Sequence, residues 1–222
     1  MGQKHAIIVG AGPGIGLGAA RAFGKDGFAV SLLARSKDHL ERATQSLIAD
    51  GITAGGFIAD AGDAESLSVS LASAIAQWGV ADTLIYNAVS FSQGAPTTVD
   101  PATLTRDFTV NVTGALVATK AVLPGMRQRG TGTLLFTGGG WAIYPDPAFA
   151  STGISKGALR TLVTLLAQEL TGTGIRVGTL TVMGTVQPGS AFDPAAIGRA
   201  YLDLYRKAAD GFPVEVQYRG RT

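Results

Sequence analysis

The chain alternates short apolar runs with longer segments in which apolar residues recur every three or four positions. The short runs are rich in β-branched and aromatic residues and therefore predict strands. They read HAIIVG, FAVSLLA, AGGFIAD, DTLIYNA, GTLLFTG, IRVGTLTV and VEVQY. The longer segments between them predict helices. These helices lie at roughly 16–27, 37–50, 64–77, 101–128, 149–173 and 194–208.

Several of the strand-like runs are apolar at consecutive positions, which indicates that helices cover both faces of the sheet. Strand–helix alternation with short links predicts right-handed crossovers and a parallel, doubly wound α/β sheet of the Rossmann type. A chain of 222 residues without a linker or a repeat predicts a single domain over 1–222. Ligands of such sheets bind outside the carboxyl ends of the strands, where the strand order reverses.

The composition excludes several kinds of site. The chain has no cysteine and only two histidines, which excludes thiolate chemistry and argues against a metal site or a Ser-His-Asp triad. A net charge of +2 without a basic stripe argues against nucleic-acid binding. The first apolar run is too short for a signal peptide, and no run reaches the ~18 residues that a membrane span needs. We therefore expect a soluble cytoplasmic protein without a membrane partner.

A glycine-rich turn follows the first strand and opens the first helix. It reads Gly10-Ala11-Gly12-Pro13-Gly14-Ile15-Gly16, a GxxxGxG spacing. Glycines allow the backbone to turn tightly and to approach a pyrophosphate, which the N–H groups of the helix N-terminus bind. A tight connection alone would also use such glycines. As the first unit of a doubly wound sheet, however, this turn predicts a dinucleotide site.

The end of the second strand discriminates between cofactors. A carboxylate there would accept a hydrogen bond from the ribose 2′-hydroxyl of NAD(H). The chain instead reads Arg35-Ser36-Lys37, and its first carboxylate is Asp38. The forked donors of Arg35 suit a 2′-phosphate, which favours NADP(H) over NAD(H). The alternative is a solvated arginine at the start of a helix.

These motifs, taken in order, resemble the short-chain dehydrogenase/reductase family over nearly the whole chain. Asp60 matches the family's aspartate at the adenine, Tyr86-Asn87-Ala88-Val89 its Asn-Asn-Ala-Gly motif, and Met183-Gly184 its Pro-Gly loop. Lys156 matches the catalytic lysine, which also binds the nicotinamide ribose, and Asn111 matches an asparagine of the proton relay. The resemblance implies a cofactor site formed by Gly10, Gly12, Pro13, Gly14, Ile15, Gly16, Arg35, Ser36, Asp60, Ala61, Asn87, Ala88, Val89, Asn111, Thr137, Lys156, Gly184 and Val186.

The chain departs from the family pattern where the chemistry is expected. The family's catalytic tyrosine and serine correspond here to Thr152 and Gly139. A threonine hydroxyl is far less acidic than a phenol, and glycine has no side chain to hold a substrate. Tyr144 is the replacement acid that we name beside Asn111 and Lys156, although an ordinary pocket aromatic is the alternative. Tyr86, Ser151 and Ser155 are further hydroxyls near this position.

Two functions are consistent with these residues. The first is an NADP(H)-dependent oxidoreductase that acts on a small carbonyl, imine or activated alkene. The second is a catalytically impaired NADP(H)-binding protein that acts as a sensor or a partner subunit. The resemblance also implies a homodimer or homotetramer formed by helices 101–128 and 149–173. A short lid over the substrate is expected around 185–210.

Overall fold

The strands and helices follow the alternating order that the sequence predicts. The structure, a computed structural model, describes residues 2–220. The strands are β1 (His5–Val9), β2 (Ala29–Ala34), β3 (Ala54–Ile58), β4 (Thr83–Tyr86), β5 (Gly132–Gly139), β6 (Ile175–Val182) and β7 (Glu215–Tyr218). The helices are α1 (Ile15–Lys25), α2 (Lys37–Ala49), α3 (Ala64–Trp78), α4 (Pro101–Phe108), α5 (Gly114–Arg129), α6 (Ala150–Glu169) and α7 (Pro194–Tyr205). Within the described range, no helix is both long and apolar enough to cross a membrane.

The strands form one seven-stranded parallel sheet with the order β3-β2-β1-β4-β5-β6-β7. The chain moves outward from β1 to β3 and then returns to place β4 on the other side of β1. Val9 at the end of β1 lies beside Leu33 of β2 and Tyr86 of β4, so these three strands end at the same level. The predicted doubly wound sheet is confirmed, and its order reverses between β1 and β4.

Helices cover both faces of the sheet and give it two cores. Helices α1, α2 and α7 pack on one face, around buried side chains such as Phe23 and Tyr201. Helices α3, α5 and α6 pack on the other face, around side chains such as Leu71 and Val163. Every residue of β1 is buried as a result, which explains why the sequence HAIIV is apolar at consecutive positions.

Helix α7 begins at the signal that the sequence carries. The Asp193 carboxylate accepts the Ala195 N–H over 2.8 Å, and a proline occupies the first helical position. The inner side chains of α7 belong to the core on the α1 face. The segment predicted as a lid, 185–210, therefore contains a core helix, α7. From this segment, Thr185 and Val186 line the cleft at the carboxyl edge of the sheet.

The structure is helical throughout the segment predicted at 101–128, but its centre has an irregularity that the sequence did not predict. A single π-helical turn, Thr109–Thr113, separates α4 from α5. Asn111 lies in this turn and is fully buried. Its side chain forms hydrogen bonds with Ser90 and Ser155, which lie far away in the sequence. These tertiary bonds hold the widened turn, and helical periodicity carries no sign of them.

Candidate active site

A deep cleft opens at the carboxyl edge of the sheet, over the point where the strand order reverses. Its volume is about 1820 Å³. The predicted cofactor residues that line it are Gly10, Gly12, Gly14, Ile15, Gly16, Arg35, Ser36, Asp60, Ala61, Asn87, Ala88, Val89, Thr137, Lys156, Gly184 and Val186. Tyr144 lines it as well, whereas Pro13 and Asn111 are not part of its wall. Residues from six different loops thus meet at one cavity.

The glycine-rich turn presents backbone to this cleft. Gly10 has a φ of +83°, and a Cβ at this position would collide with the backbone of Ala88. The Asn87 side-chain amide donates to the Gly10 carbonyl over 2.7 Å, which ties the ends of β1 and β4 together. Helix α1 then begins at Ile15 without a side-chain cap, and its first residues line the cleft. Its N-terminus can therefore bind an anion.

The far side of the cleft, after β2, carries a positive charge. Arg35 is exposed there and has no ion-pair partner among residues 2–220. The Ser36 hydroxyl accepts the His39 N–H over 3.3 Å and starts α2, which fixes the chain just after Arg35. After the neighbouring strand β3, the Asp60 carboxylate accepts the N–H of Gly62 over 2.8 Å. The guanidinium is thus available to an anionic group of a ligand.

Lys156 lines the cleft from the second turn of α6. Its side chain is only 7% exposed, and its Nζ donates to the Thr137 carbonyl over 2.8 Å. Burial lowers the pKa of Lys156 from 10.5 to about 8. Gly139 lies next to the carbon chain of Lys156, because a Cβ on Gly139 would be 3.9 Å from it. Since glycine has no side chain, residue 139 does not shield this lysine from the cleft. Thr152 is buried one turn before it, where its Oγ1 accepts the Ser92 N–H over 3.4 Å.

A chain of hydrogen bonds supports the floor of the cleft beside Lys156. The Thr137 hydroxyl donates to Asn87 Oδ1 over 2.9 Å. Because Thr137 has only this one hydroxyl proton, Tyr201 must be the donor in its 2.6 Å contact with Thr137 Oγ1. Tyr201 is fully buried, and burial raises its pKa. Tyr201 was not predicted, because in the sequence it is one of several apolar positions on α7.

Asn111 lies behind the cleft wall. Its Oδ1 accepts the Ser90 N–H over 2.7 Å, and its Nδ2 donates to the Ser90 carbonyl over 3.0 Å and to Ser155 Oγ over 2.7 Å. The side chain therefore fixes the loop after β4 against α6. The role of Asn111 in a proton relay stays a prediction, and so do the catalytic roles of Lys156 and Tyr144.

A buried carboxylate, Asp107, lies close to this network and was not predicted. Its two oxygens accept the hydroxyls of Ser90 over 2.6 Å and Ser151 over 2.7 Å. Burial raises the pKa of Asp107, but the hydrogen bonds from Ser90, Ser151 and Ser92 outweigh this effect, and the net shift is downward. Asp107 stands four residues before Asn111, a spacing that could have indicated a shared helix face.

The other hydroxyls near Lys156 have different surroundings. Tyr144 is 65% exposed at the mouth of the cleft. The Tyr86 hydroxyl is buried against the π-helical turn, where it donates to the Val110 carbonyl. Ser151 and Ser155 are bonded to Asp107 and Asn111. Among the residues of the described range, no group of three acidic or histidine side chains is placed to hold a metal ion.

We expect Lys156→Met to be more stable than the parent at pH 7, by about 2 kcal/mol. A pKa lowered from 10.5 to about 8 means that burial of the charged side chain destabilises the parent by roughly 3 kcal/mol. Methionine removes this penalty but also loses the hydrogen bond to the Thr137 carbonyl, which costs about 1 kcal/mol. Below pH ~8 both states of the parent are charged, so the folded state bears the full penalty. Between pH ~8 and ~10.5 the unfolded chain holds the Lys156 proton more tightly than the folded chain does. The stability of the parent therefore rises with pH in this range, and the stability difference between Lys156→Met and the parent disappears.

Urea unfolding at several pH values measures this difference. Lys120→Met, which replaces an exposed lysine of α5, is the matched control. A stability difference that does not change between neutral and alkaline pH would contradict the assignment of a buried ammonium to Lys156.

Comparisons with known proteins agree with this geometry. The chain matches the family described as short chain dehydrogenase over residues 4–190. It is 34% identical over 216 residues to 2-(S)-hydroxypropyl-CoM dehydrogenase 3 of Xanthobacter autotrophicus, an alignment that covers 94% of this chain and 84% of that protein. It is 31% identical over 181 residues to human dehydrogenase/reductase SDR family member 4, covering 81% of this chain. The chain spans only 65% of the length of that human relative.

Solved structures share the fold. An alcohol dehydrogenase from the archaeon Thermococcus sibiricus, complexed with 5-hydroxy-NADP, has a TM-score of 0.89 at 26% identity, covering 98% of this chain and 96% of that chain. A variant of actinorhodin polyketide ketoreductase with NADPH has a TM-score of 0.92 at 23% identity, covering 99% and 98%. At that identity the second likeness concerns the fold alone.

Proposed function

The chain belongs to the short-chain dehydrogenase family, and we propose that it is an NADP(H)-dependent oxidoreductase acting on a small organic substrate. One observation carries the proposal. A single cleft joins the glycine-rich turn, Arg35 and the buried Lys156. These are the groups that a phosphorylated dinucleotide needs at its pyrophosphate, its 2′-phosphate and its nicotinamide ribose.

The residues around the cleft fit such a cofactor. A Cβ placed on Gly12 would meet nothing within 4 Å, which leaves open space above the turn for a pyrophosphate. Lys156 would hold the nicotinamide ribose hydroxyls, and the Asn87–Thr137–Tyr201 bonds keep the floor beneath them rigid. When bound, the cofactor supplies the hydride of the reaction. The protein supplies its position and the positive charge of Lys156.

The proposed reaction departs from the family's route at the proton donor. Thr152 and Gly139 occupy the positions where the family carries tyrosine and serine, and neither residue offers an acidic group. Lys156 remains as the source of positive charge beside the substrate. Substrates that need little acid help, such as iminium groups and activated C=C bonds, are therefore favoured over simple ketones.

The direct test separates binding from turnover. Binding of NADPH is measured by the change in its fluorescence, and turnover by its consumption with carbonyl, imine and enone substrates. We expect tight binding together with consumption in the imine or enone set. Tight binding without consumption in any set would favour a cofactor-binding sensor or partner subunit. A failure to bind NADPH would contradict both functions.

We expect Arg35→Ala to lose about ten- to a hundredfold in NADPH affinity, because a charge-assisted bond to a phosphate contributes about 1.5–3 kcal/mol. NADH affinity should change little, since NADH lacks the 2′-phosphate. The matched control is Arg42→Ala, which replaces an exposed arginine of α2 that lies outside the cleft wall. Titration of both cofactors measures the effect, and equal NADPH affinity of the parent and Arg35→Ala would contradict the NADP(H) preference.

We also expect a homodimer or homotetramer. Ile154 and Leu165 of α6 are 51% and 56% exposed, and their spacing of 11 residues places them on one face of the helix. Light scattering of Leu165→Asp should show smaller particles than the parent, whereas Val69→Asp on α3 should not. A parent protein that is monomeric at micromolar concentration would contradict this prediction. The cytoplasmic location and the absence of a nucleic-acid partner stay predictions from the sequence.

A further inference from the structure

Three aromatic rings form a cluster on the substrate side of the cleft. The ring centroids of Trp141 and Phe149 are 4.5 Å apart with planes at 19°, and those of Phe91 and Trp141 are 5.4 Å apart at 29°. Phe91 and Phe149 are 5.1 Å apart. All three residues line the cleft that also contains Lys156. We call Phe91, Trp141 and Phe149 the aromatic wall.

The loops that carry the aromatic wall are fixed to each other by backbone hydrogen bonds. The Gly94 N–H donates to the Ala148 carbonyl over 2.8 Å, and the Ala150 N–H donates to the Gly94 carbonyl over 3.1 Å. Gly94 and Phe149 thus form a short parallel bridge. The bridge joins the loop after β4 to the start of α6, so the rings are held in place before a ligand arrives.

The aromatic wall is not buried by the protein itself. Phe91 is 54% exposed, although large apolar side chains in contact with one another normally bury most of their surface. Next to the wall, Gly139 and Gly140 line the cleft without side chains. The lining near Lys156 and Trp141 therefore includes backbone without side chains.

We propose that the substrate carries a flat aromatic ring, which packs against the aromatic wall and places the reacting group beside Thr152 and Lys156. Aromatic side chains bind a second ring by offset stacking or edge contact, and such contacts add to the burial of apolar surface. The assignment of a reacting group rests on the proposed oxidoreductase function. Recognition of the ring does not, because it depends only on the position of the wall.

The test compares two uncharged, unreactive amides, 2-naphthamide and its fully saturated analogue decahydro-2-naphthamide. Their lack of charge removes ion pairing with Arg106, another residue of the cleft wall, from the comparison. Binding is measured by calorimetry, with and without NADP⁺. We expect the aromatic amide to bind about three- to tenfold more tightly than the saturated one.

The variants Phe91→Leu and Trp141→Leu, followed by calorimetry, should lose most of this preference. Phe91 is largely exposed, so its replacement leaves the fold intact. Trp78→Phe, outside the cleft wall, should keep the preference. Equal binding of the two amides to the parent would overturn the proposal, as would a preference that survives in Phe91→Leu and Trp141→Leu. Either result would leave NADPH binding, and with it the proposed function, unaffected.

Discussion

Lys156→Met is expected to weaken NADPH binding about ten- to a hundredfold and to lower kcat by at least a similar factor. The affinity falls because a charged donor to the ribose hydroxyls is lost, and such a bond contributes about 1.5–3 kcal/mol. Turnover falls further because the positive charge beside the reacting group disappears. Methionine has nearly the same length, so the packing around Thr137 and Gly139 is preserved.

This variant separates function from folding, since the same change is expected to increase stability at pH 7. Steady-state kinetics and NADPH titration measure the loss, with Lys120→Met as the control. Full turnover in a well-folded Lys156→Met protein would exclude Lys156 from the reaction. It would also remove the main reason for placing the chemistry at this end of the cleft.

Thr152→Tyr is expected to raise ketone reduction by about a hundredfold. It places a phenol one turn before Lys156 on the same helix face, and general acid catalysis contributes about 10²–10⁴ to a rate. We expect the lower end of that range because Gly139 still offers no side chain to hold the substrate oxygen. The rate of NADPH consumption with a series of simple ketones measures the gain.

Thr152→Val is the matched control, because it keeps the shape of the side chain and removes only the hydroxyl. The bond that this hydroxyl accepts from the Ser92 N–H is long, at 3.4 Å, so its loss should affect the fold little. Turnover of imines or enones should be largely retained. Loss of activity in Thr152→Val would mean that the threonine takes part in the mechanism, and the proposed absence of a family-type acid would then be wrong.

Much of the fold could be predicted because it depends on local patterns. The strand β6 occupies the predicted residues 175–182, and the start of α7 follows the predicted Asp193 cap. The π-helical turn at Thr109–Thr113 could not be predicted in this way. It depends on bonds from Asn111 to Ser90 and Ser155, which become neighbours only after the sheet has formed.

The same distinction applies to the candidate site. Residues that directly follow a strand, such as Arg35 and Asn87, could be placed at the cleft because parallel strands end at one edge. Tyr201 and Asp107 reach the site from helices through hydrogen bonds to Thr137, Ser90 and Ser151. No local pattern distinguishes Tyr201 from an ordinary buried position, and the spacing of Asp107 and Asn111 indicates only a shared helix face.

The aromatic wall was missed for a further reason. Phe91 is far from Trp141 and Phe149 in the sequence, although the three rings lie together in the structure. Phe91 follows β4 and Trp141 follows β5, and the Gly94–Phe149 bridge joins the two loops. The chemistry of a substrate pocket depends on such contacts between loops, which is why the sequence alone left the substrate open.

A crystal structure of the protein with NADPH would test most directly whether this cleft holds NADP(H) with its nicotinamide beside Lys156. We expect the 2′-phosphate within hydrogen-bond distance of Arg35, about 3 Å, and the ribose hydroxyls at a similar distance from Lys156 Nζ. The nicotinamide C4 should face the space between Gly139, Thr152 and the aromatic wall. Electron density that places the nicotinamide away from Lys156, or a cleft that stays empty at saturating NADPH, would contradict the account.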